Sequence, residues 1–515
     1  MNVLLCSIDS LSRHFLDAYG GSVEFDVDTR NLDRFADRAA VFDTHYAGSL
    51  PCMPARREWL AGIQEFLWRP WGPIEPFDAP LPRTLRDEGV PTQLITDHYH
   101  YFQHGSGGYF EDFNGYEFVR GHEYDPWKTS PRDPEGYVRD QLGFSAPDEA
   151  DGVGFMDPLQ YSRNVDGFED ESEYFAPKVF SRTAEWLRRN REWDEWFCYV
   201  DSFDVHEPFH VPEPYASMYT DEDPRDPELT HWPFYGSTEE GQSELTDREL
   251  AFVRSQFAGK LTMVDRWFGR VLDALEDCSL WEETIVIVTA DHGHYLGEHD
   301  WIGKPFEAPL YDVLARTPLM IWHPESDRVG DRIDALTAAV DLYPTIREAF
   351  DAPIPDGTHG RSLEPLLLES GDRSSVREWA IYGYWGSSVN VTDGEYTYLH
   401  PCDDEVDSYC HSTTMMNPHS WFTPPEPRPN AEAGNYLPYA DAPVWRYESA
   451  SYSRHEEPLL FDVTADPEQR EDLAGTGDPN EERLRGLLVD ALAHLEAPSR
   501  QYERLGLEEP SDAAA

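Results

Sequence analysis

Lysine is nearly absent from this sequence of 515 residues: it occurs only at Lys128, Lys178, Lys260 and Lys304. Arginine therefore supplies most of the positive charge, and the two residue types together number 41 against 99 Asp and Glu. The formal net charge is -58 at pH 7, and the acidic residues are spread along the whole chain. A surface of this charge repels nucleic acids and anionic membranes, so we expect neither as a partner.

This acidic, lysine-poor composition resembles that of proteins from salt-loving archaea. An acidic protein from an ordinary mesophile would explain the charge but not the scarcity of lysine, so we favour a halophilic source. A lysine that is retained against such depletion is also a better functional candidate than lysines usually are.

Cysteine and long apolar runs are scarce as well. The six cysteines do not show the C-x-x-C spacing of a zinc site, and free thiols are expected in a reducing cytoplasm. No window of the sequence approaches the length and hydropathy of a membrane span. The N-terminus leads directly into a predicted strand, without the basic and apolar regions of a secretory signal. We therefore expect a cytoplasmic protein.

Five short apolar runs are predicted to form buried parallel strands, because each is apolar throughout and ends in polar residues. The runs are Asn2–Asp9, Thr92–His98, Trp196–His206, Thr284–Gly293 and Thr317–Pro324. Helical patterns separate them, and the longest begins at a capping box, Thr246 to Glu249. This alternation indicates an α/β/α sandwich with a largely parallel central sheet.

Changes in composition suggest how the chain is divided. Residues 103–173 are rich in Gly, Tyr, Asp and Pro, and they are predicted to be an insertion that lines a pocket. A Pro- and Gly-rich stretch near Asp351 separates a catalytic α/β domain, residues 1–350, from a smaller C-terminal α+β subdomain, residues 351–500. Residues 501–515 are predicted to be a tail.

Polar residues stand where the predicted strands end, at Asp9, His98, His206, Asp291 and His292. The carboxyl ends of parallel strands form the binding edge of such sheets, so we expect these side chains to converge. The two carboxylates and the imidazole of His292 suit a hard divalent cation. The alternative is that Asp9 caps the next turn and His292 is an ordinary hydrogen-bonded loop residue.

The stretch "SLPCMPARREWLAG", Ser49–Gly62, contains the pattern C-x-P-x-R followed by R-x-x-L-x-G. Together with "NVLLCSIDSL", "FDVHEPF", "TADHGHYLGEHDWIGK" and "TPLMIWHP", it resembles the sulfatase family of the alkaline-phosphatase superfamily. These motifs, with a late "LLFDVTADPEQREDLA", occur in family order from residue 2 to about residue 474. The resemblance implies an alkaline-phosphatase-like form of the predicted sandwich.

The resemblance further implies that Cys52 is oxidised after translation to formylglycine, whose aldehyde hydrates to a diol. One hydroxyl of the diol attacks the sulfur of a sulfate ester, and the alcohol leaves as the S–O ester bond breaks. The second hydroxyl then loses its proton and expels sulfate by collapsing back to the aldehyde. Arg56 and one divalent metal, Ca²⁺ first and Mn²⁺ second, would hold the diol. The implied metal ligands are Asp9, Asp291, His292 and residue 52.

Two further roles follow from the same resemblance. His206 matches the histidine that protonates the leaving oxygen. Lys304 matches the lysine that bridges the transferring group and the leaving oxygen and neutralises the charge that develops there. The retention of Lys304 in a sequence with four lysines supports this assignment.

The sequence departs from the family pattern at three places. One is the flanks of Cys52, where Pro51 and Met53 stand at positions that are more often occupied by small residues, although the C-x-P-x-R core is kept. Ser10 follows Asp9 where many sulfatases carry a second aspartate, and this removes one anionic ligand. Where the family often shows G-K-W-H, this chain has "DHYH". His98 and His100 are therefore expected either to take over the Lys and His roles or to be ordinary histidines of the pocket wall.

Several functions stay open at this point. The first is a sulfuric ester hydrolase that acts on a small-molecule or carbohydrate sulfate ester after a maturase has modified Cys52. The second is a phosphonate monoester or phosphodiester hydrolase, whose substrates also present a singly anionic tetrahedral centre. The third is a catalytically inactive binding protein in which Cys52 stays a thiol, and transfer to an acceptor alcohol is a fourth.

Overall fold

The computed structural model describes residues 1–21, 23–103, 105–131, 158–239, 245–368, 375–416 and 426–510. Its strands are β1 (Asn2–Ile8), β2 (Ala40–Phe42), β3 (His45–Tyr46), β4 (Ser49–Leu50), β5 (Thr92–Thr96), β6 (Gly115–Phe118), β7 (Trp196–Ser202), β8 (Gly236–Ser237), β9 (Thr284–Thr289), β10 (Tyr295–Leu296), β11 (Trp301–Gly303), β12 (Leu319–Trp322), β13 (Arg332–Ile333), β14 (Thr337–Ala338), β15 (Ala380–Tyr384), β16 (Val389–Thr392), β17 (Tyr396–His400), β18 (Ser408–Ser412), β19 (Glu432–Gly434), β20 (Val444–Ser449) and β21 (Leu459–Asp462). Its α-helices are α1 (Arg30–Ala36), α2 (Cys52–Ala61), α3 (Leu81–Asp87), α4 (Pro158–Val165), α5 (Phe175–Asn190), α6 (Asp247–Asp277), α7 (Asp312–Ala315), α8 (Leu342–Ala349), α9 (Glu364–Leu368), α10 (Pro479–His494) and α11 (Ser499–Arg504).

An eight-stranded sheet in the order β13-β2-β12-β9-β1-β7-β5-β6 forms the centre of the molecule. Successive side chains of β1 point to opposite faces, as the two-residue period of a strand requires. Leu4, Cys6 and Ile8 pack in a core with α1, α5 and α6, whereas Val3 and Leu5 pack in a second core with α2, α3 and α8. Helices therefore cover both faces, and the predicted α/β/α sandwich is confirmed.

The prediction of five parallel strands is correct for four runs and wrong for the fifth. β9, β1, β7 and β5 run parallel to one another, but β12 pairs antiparallel with β9 and with β2. Between β9 and β12 the chain forms the hairpin β10–β11 and the single helical turn α7. Because no crossover helix carries the chain back along the sheet, it re-enters in the opposite direction.

The C-terminal part consists of two smaller sheets and the helices α10 and α11. One sheet has the order β21-β17-β16-β15-β4, and the other has the order β18-β20-β19. Helix α10 packs onto the first sheet, with Leu484 and Leu488 in the same apolar core as Val389 and Val391. The first sheet also contains β4, which directly precedes α2, so the C-terminal sheet reaches into the N-terminal part of the chain.

Packed structure extends beyond residue 500, where the sequence predicted a tail. Tyr502, Arg504 and Leu505 are buried, and α11 runs to Arg504. Residues 511–515 of the predicted tail and residues 132–157 of the predicted insertion lie outside the described residues. All six cysteines are free. Within the described part of the chain, no helix has the length and apolar character needed to cross a membrane.

Candidate active site

The carboxyl ends of four neighbouring strands bring the predicted residues to one edge of the sheet. Asp9 follows β1, Asp291 and His292 follow β9, His98 follows β5, and His206 lies shortly after β7. These strands are adjacent in the order β9-β1-β7-β5, so the convergence expected from the sequence is present. All five side chains are buried.

Cys52 is the first residue of α2 and joins three of these side chains. Its Sγ lies 3.2 Å from Nε2 of His292. One ligand atom from each of Asp9, Cys52, Asp291 and His292 lies within 4.8 Å of the others. Burial raises the pKa of the Cys52 thiol well above its usual value, and Asp9 and Asp291 raise it further. The surroundings therefore favour the neutral thiol over the thiolate.

Arg56, one helical turn after Cys52, lies at the centre of this group and is fully buried. Nε and Nη2 donate to the two carboxylate oxygens of Asp201, both at 2.9 Å. Nη2 also donates to Asp9 Oδ2 at 2.8 Å, and Nη1 donates to Asp291 Oδ2 at 2.5 Å and to the carbonyl oxygen of Cys52 at 2.9 Å. These bonds use all five N–H groups of the guanidinium.

Asp201, at the end of β7, is a site residue that the sequence analysis did not single out. It accepts hydrogen bonds from Arg56 and Ser7, and His98 Nδ1 lies 3.3 Å from its Oδ2. Arg56 and His98 outweigh the effect of burial and hold the pKa of Asp201 below its usual range. A carboxylate inside an otherwise apolar buried strand requires a cationic partner, and this requirement is the signal that could have identified it.

Ser10 and Lys304 connect the metal-ligand candidates to the pocket. The Ser10 hydroxyl donates to Asp9 Oδ1 at 2.8 Å, and its backbone N–H donates to Asp291 Oδ1 at 3.0 Å. Lys304 Nζ donates to Ser10 Oγ at 3.3 Å. Burial alone would lower the pKa of Lys304, but Glu207 and the nearby site residues raise it. Lys304 is therefore a buried ammonium beside the site.

His206 lies on the other side of Lys304 and is paired with Glu207, which the sequence analysis also missed. His206 Nδ1 is 2.8 Å from the carbonyl oxygen of Glu207 and 3.4 Å from its Oε2. Glu207 Oε2 is 3.7 Å from Lys304 Nζ, and Glu207 also accepts a hydrogen bond from Tyr235. Burial, followed by the charge of Lys304, holds the pKa of His206 well below its usual value.

His98 and His100 occupy different positions. His98 is completely buried, stacks on Phe203 with ring centroids 4.2 Å apart, and contacts Asp201. His100 is one of the residues that line the pocket, and its Nε2 lies 3.3 Å from Glu123 Oε2. The structure thus places His100 at the pocket surface and His98 behind it.

A pocket of about 240 Å³ opens next to Cys52. Lys304, His206, His100 and two carboxylates, Glu123 and Glu207, contribute its polar atoms. Aromatic rings form much of the remaining wall, from Trp71, Tyr124, Trp232, Phe234, Tyr235, Phe306 and Tyr384. Glu123 and Tyr124 lie within residues 103–173, so the described part of the predicted insertion does contribute to this pocket.

Among the described residues, two further groups of side chains have the spacing of metal ligands. They are Glu123–His206–Glu207 and Asp97–His122–Asp204. Each group already contacts a buried ammonium, because Lys304 Nζ lies 3.7 Å from Glu207 and Lys260 Nζ lies 2.6 Å from Asp204. The ligand atoms of the group around Cys52 also contact a buried cation, because Arg56 donates to Asp9 and Asp291, but this group alone of the three described ones combines two carboxylates and an imidazole with residue 52, which makes it the better metal centre.

The donor set around Cys52 fits one hard divalent cation. Burial and the facing carboxylate of Asp291 raise the pKa of Asp9 well above its usual value, although Arg56 opposes this shift. A divalent cation between the two carboxylates would offset their mutual repulsion. Two carboxylates with one imidazole suit a hard or borderline cation and not a soft one.

The sequence profile of the sulfatase family matches residues 1–352. The chain belongs to the sulfatase family. This match covers the segment that contains Asp9, Cys52, His206, Asp291 and Lys304, and it confirms the family resemblance. It also confirms, at the level of the family, the expectation of a sulfuric ester hydrolase.

Individual proteins add detail to this assignment. The sulfatase-family chain is 26% identical over 532 residues to the multifunctional alkaline phosphatase superfamily protein PehA of Trinickia caryophylli, covering 92% of this chain and 91% of that protein. It is 24% identical over 401 residues to an arylsulfatase of Clostridium perfringens, covering 74% and 81%. The phosphonate monoester hydrolase of Agrobacterium radiobacter superposes with a TM-score of 0.65 at 19% identity, covering 96% and 95%. The last likeness shows the shared fold alone.

Proposed function

We propose that the protein hydrolyses the sulfate ester of a small molecule or a carbohydrate, using formylglycine formed from Cys52 and one divalent metal. The observation that carries this proposal is the buried group of Asp9, Cys52, Asp291 and His292, which adjoins the pocket containing Lys304. Membership of the sulfatase family supports the same function.

The metal would be held by Asp9, Asp291, His292 and the modified residue 52. Oxygen-rich coordination favours Ca²⁺, with Mn²⁺ as the alternative, because Mn²⁺ accepts the imidazole more readily. When bound, the metal supplies positive charge that stabilises the anionic sulfuryl group.

Residue 52 occupies the N-terminus of the ten-residue helix α2. The positive end of the helix dipole favours negative charge at this position. Formylglycine would supply a hydrated aldehyde as the nucleophile, which a buried neutral thiol does not provide. Pro54 and Arg56 complete the C-x-P-x-R pattern, so we also propose a formylglycine-generating maturase as a partner of the unfolded chain.

Arg56 acts in this proposal by holding the carboxylates of Asp9, Asp201 and Asp291. The resemblance of its motif to the sulfatase family implied that Arg56 also holds the diol, but the five N–H groups of Arg56 all donate to other groups of the protein. We therefore assign Arg56 as a positioning residue that fixes the two metal-ligand carboxylates and the start of α2.

Lys304 and His206 serve the leaving oxygen. The Lys304 ammonium neutralises negative charge on the sulfuryl and leaving oxygens as the ester bond lengthens. His206 delivers a proton to the leaving oxygen. Because burial and Lys304 keep the pKa of free His206 low, the anionic substrate is what raises its proton affinity in the complex. His100 faces the substrate in the pocket, whereas His98 supports Asp201 from behind.

A second candidate is hydrolysis of phosphonate monoesters or phosphodiesters. It is favoured by the single aspartate, Asp9, that precedes Ser10 in the site, and by the fold shared with a phosphonate monoester hydrolase. A singly charged phosphorus centre fits the same set of cationic groups, so the two reactions compete for the same assignment.

Two accompanying proposals concern the source of the protein and the division of its chain. The net charge of -58 and the four lysines support a halophilic source. The position of the family match, residues 1–352, supports the division of the chain near Asp351. The packing of β4 against β15 indicates that both parts are needed for the site.

The proposal is tested on protein co-expressed with a maturase and purified in molar KCl with Ca²⁺. Peptide mass spectrometry measures the fraction of Cys52 that has become formylglycine. One preparation is then assayed on 4-nitrophenyl sulfate, a 4-nitrophenyl phosphonate and a bis-4-nitrophenyl phosphodiester, with Cys52→Ala as the control. We expect conversion of Cys52 and kcat/KM highest for the sulfate ester.

Three outcomes separate the alternatives. Hydrolysis of the sulfate ester slower than that of a phosphorus ester by about tenfold or more would favour the second candidate. An unmodified thiol in protein from its native host would support the inactive binding protein. Activity that persists in Cys52→Ala would contradict the role of residue 52 altogether.

A further inference from the structure

Lys260 is one of the four lysines of the chain, and the roles assigned so far do not use it. It lies within α6 and is 1% exposed. Its Nζ donates to the carbonyl oxygen of His206 at 2.6 Å and to that of Pro208 at 2.8 Å, and it lies 2.6 Å from Asp204 Oδ1. An ammonium has three N–H groups, so these three acceptors satisfy it completely.

All three acceptors belong to one short segment, residues 203–208, which follows β7 and carries His206. Asp204 is itself anchored, because it faces His122 Nε2 at 2.8 Å and accepts from the backbone N–H of Ala176 at 3.0 Å. Lys260 and His122 hold the pKa of Asp204 below its usual range despite burial. The carboxylate is therefore charged, and the segment is fixed by a buried ion pair.

The orientation of the His206 ring depends on this same segment. The ring stacks on Phe203, with centroids 4.3 Å apart, and its Nδ1 contacts the carbonyl oxygen of Glu207. Phe203 is held in turn by the hydrogen bond from its backbone N–H to Asp97 Oδ1 at 2.7 Å. The contacts that set the direction of the imidazole thus come from Phe203 and Glu207, which are the chain neighbours of the residues that Lys260 bonds, Asp204, His206 and Pro208.

We propose that Lys260, paired with Asp204, is a positioning residue that fixes His206 in the geometry needed to protonate the leaving oxygen. This inference rests on the proposed function. It also explains the group Asp97–His122–Asp204, because the ammonium of Lys260 supplies the positive charge that a metal would otherwise bring to these side chains.

The inference predicts that loss of Lys260 affects substrates according to how much their leaving oxygen needs a proton. 4-Nitrophenolate is stable as an anion and needs little protonation, whereas phenolate needs more. In Lys260→Met, the length of the side chain is nearly kept and the charge is lost. We expect kcat for phenyl sulfate to fall by about 10²-fold and kcat for 4-nitrophenyl sulfate to fall by about threefold at most.

Three controls accompany this measurement. Lys178→Met removes the charge of another retained lysine, whose ammonium lies over the ring of Phe168 and which does not line the pocket, and should leave both rates unchanged. Lys260→Arg keeps the charge and should restore part of the rate on phenyl sulfate. Thermal unfolding shows whether Lys260→Met is folded; if it is not, His122→Gln tests the same ion pair through Asp204, with the same two substrates.

Equal losses on the two esters, or no loss on phenyl sulfate in a folded variant, would overturn the role of Lys260 and leave the proposed function intact. Wild-type enzyme with no turnover of either sulfate ester would instead overturn the proposed function. In that case, 4-nitrophenyl and phenyl esters of a phosphonate apply the same comparison to the second candidate, and equal losses there would overturn the inference as well.

Discussion

At the scale of single residues, the candidate site depends on a guanidinium surrounded by carboxylates. Arg56 contacts Asp9, Asp201 and Asp291, and all four side chains are completely buried. Only arginine has five donors in a planar fork that can serve several carboxylates at once. Two of these carboxylates are metal-ligand candidates, so the arginine sets their positions.

Arg56→Lys is expected to lower kcat/KM by about 10²-fold or more, because an ammonium with three N–H groups cannot make at least two of the five hydrogen bonds of Arg56. Breaking a buried ion pair also costs about 3–5 kcal/mol, so the melting temperature should fall. Steady-state kinetics and thermal unfolding measure the two effects. Arg470→Lys, at an exposed position, is the control. Wild-type kinetics in Arg56→Lys would contradict the positioning role.

Glu58, on the same helix, gives a prediction about pH. Burial raises its pKa to about 8 from a usual value of 4.5, and its Oε1 accepts a hydrogen bond from the backbone N–H of Ser49. The folded state therefore keeps a proton that the unfolded state releases between these two values. Stability conferred by the neutral form is lost as the pH rises through this window, and it levels off above about pH 8.

Glu58→Gln keeps an acceptor for Ser49 and removes the titration. We expect the melting temperature of Glu58→Gln relative to the wild type to increase from pH 5 to pH 8 and then to stay constant. The corresponding difference in the free energy of unfolding should change by no more than about 1.4 kcal/mol per pH unit. Melting curves at matched ionic strength measure it. A difference that is independent of pH would show that Glu58 is ionised in the folded protein.

The residues of the site were predictable from the sequence where a strand end or a family motif marked them. Asp9, Asp291 and His292 lie together as the strand ends indicated, and Cys52 lies with them as the family motif indicated. Asp201 was missed because it lies outside the quoted motifs, and Glu207 was missed because the resemblance gave it no role although it lies within "FDVHEPF". Their importance arises from contacts with Arg56 and Lys304, which are far away in the sequence.

At the scale of elements, the strand that leads into the site belongs to the C-terminal sheet. β4 pairs in parallel with β15, so that Ser49 lies beside Gly383 and Leu50 beside Tyr384. Gly383 has no room for a side chain: a Cβ there would lie 2.7 Å from the carbonyl oxygen of Ser388 and 2.8 Å from the ring of Phe66. Close packing at this glycine therefore sets the position of β4 and of the following Cys52.

Gly383→Ala should destabilise the protein by about 1–3 kcal/mol, because the added methyl group overpacks the site. Activity should fall as well, since a shift of β15 moves β4 and residue 52. Gly486→Ala is the matched control: Gly486 is in α10, and a Cβ there meets nothing within 4 Å. That change should stabilise the protein by about 0.5–1 kcal/mol. Unfolding curves and kcat/KM test both variants, and unchanged stability in Gly383→Ala would contradict this account.

The elements of the central sheet were predictable, but not all of their directions. An apolar run shows that a strand is buried, and it carries no information on whether the chain enters from one end or the other. The direction of β12 depends on the path of residues 290–318, which stay at the carboxyl edge of the sheet. The pairing of β4 with β15 was equally hidden, because the two segments are far apart in the sequence.

At the scale of the whole molecule, the net charge of -58 sets the conditions in which the fold is stable. Like charges spread over one surface repel each other and destabilise the compact state. Salt reduces this repulsion, because the Debye length falls from about 8 Å at 0.15 M to about 3 Å at 1 M.

The melting temperature should therefore rise steadily from 0.1 M to 2 M KCl. Differential scanning calorimetry measures the increase, and sucrose at matched osmolality is the control for effects that do not involve charge. A melting temperature that is flat or falling over this range would contradict the halophilic interpretation.

The two parts of the chain are joined by buried hydrogen bonds. The backbone N–H of His411 donates to the carbonyl oxygen of Trp68 at 3.0 Å, and Gln501 donates to that of Leu67 at 2.5 Å. Glu75 accepts from Ser412 and Thr413 and is paired with Arg69. Trp68 lies in the same apolar core as the C-terminal leucines Leu484 and Leu488.

A chain that ends at residue 352, where the family match ends, should therefore not fold independently. It would lack β15, the neighbour of β4, would remove Ser412 and Thr413 from Glu75, and would uncover the apolar core around Trp68. We expect the truncated chain to be aggregated or unfolded by size-exclusion chromatography and circular dichroism, and the full chain to unfold in a single calorimetric transition.

A full chain lacking only residues 511–515 is the control and should behave as the wild type. A folded, active fragment of residues 1–352, or two separate transitions in the full chain, would show that the N-terminal part holds its site without the C-terminal sheet.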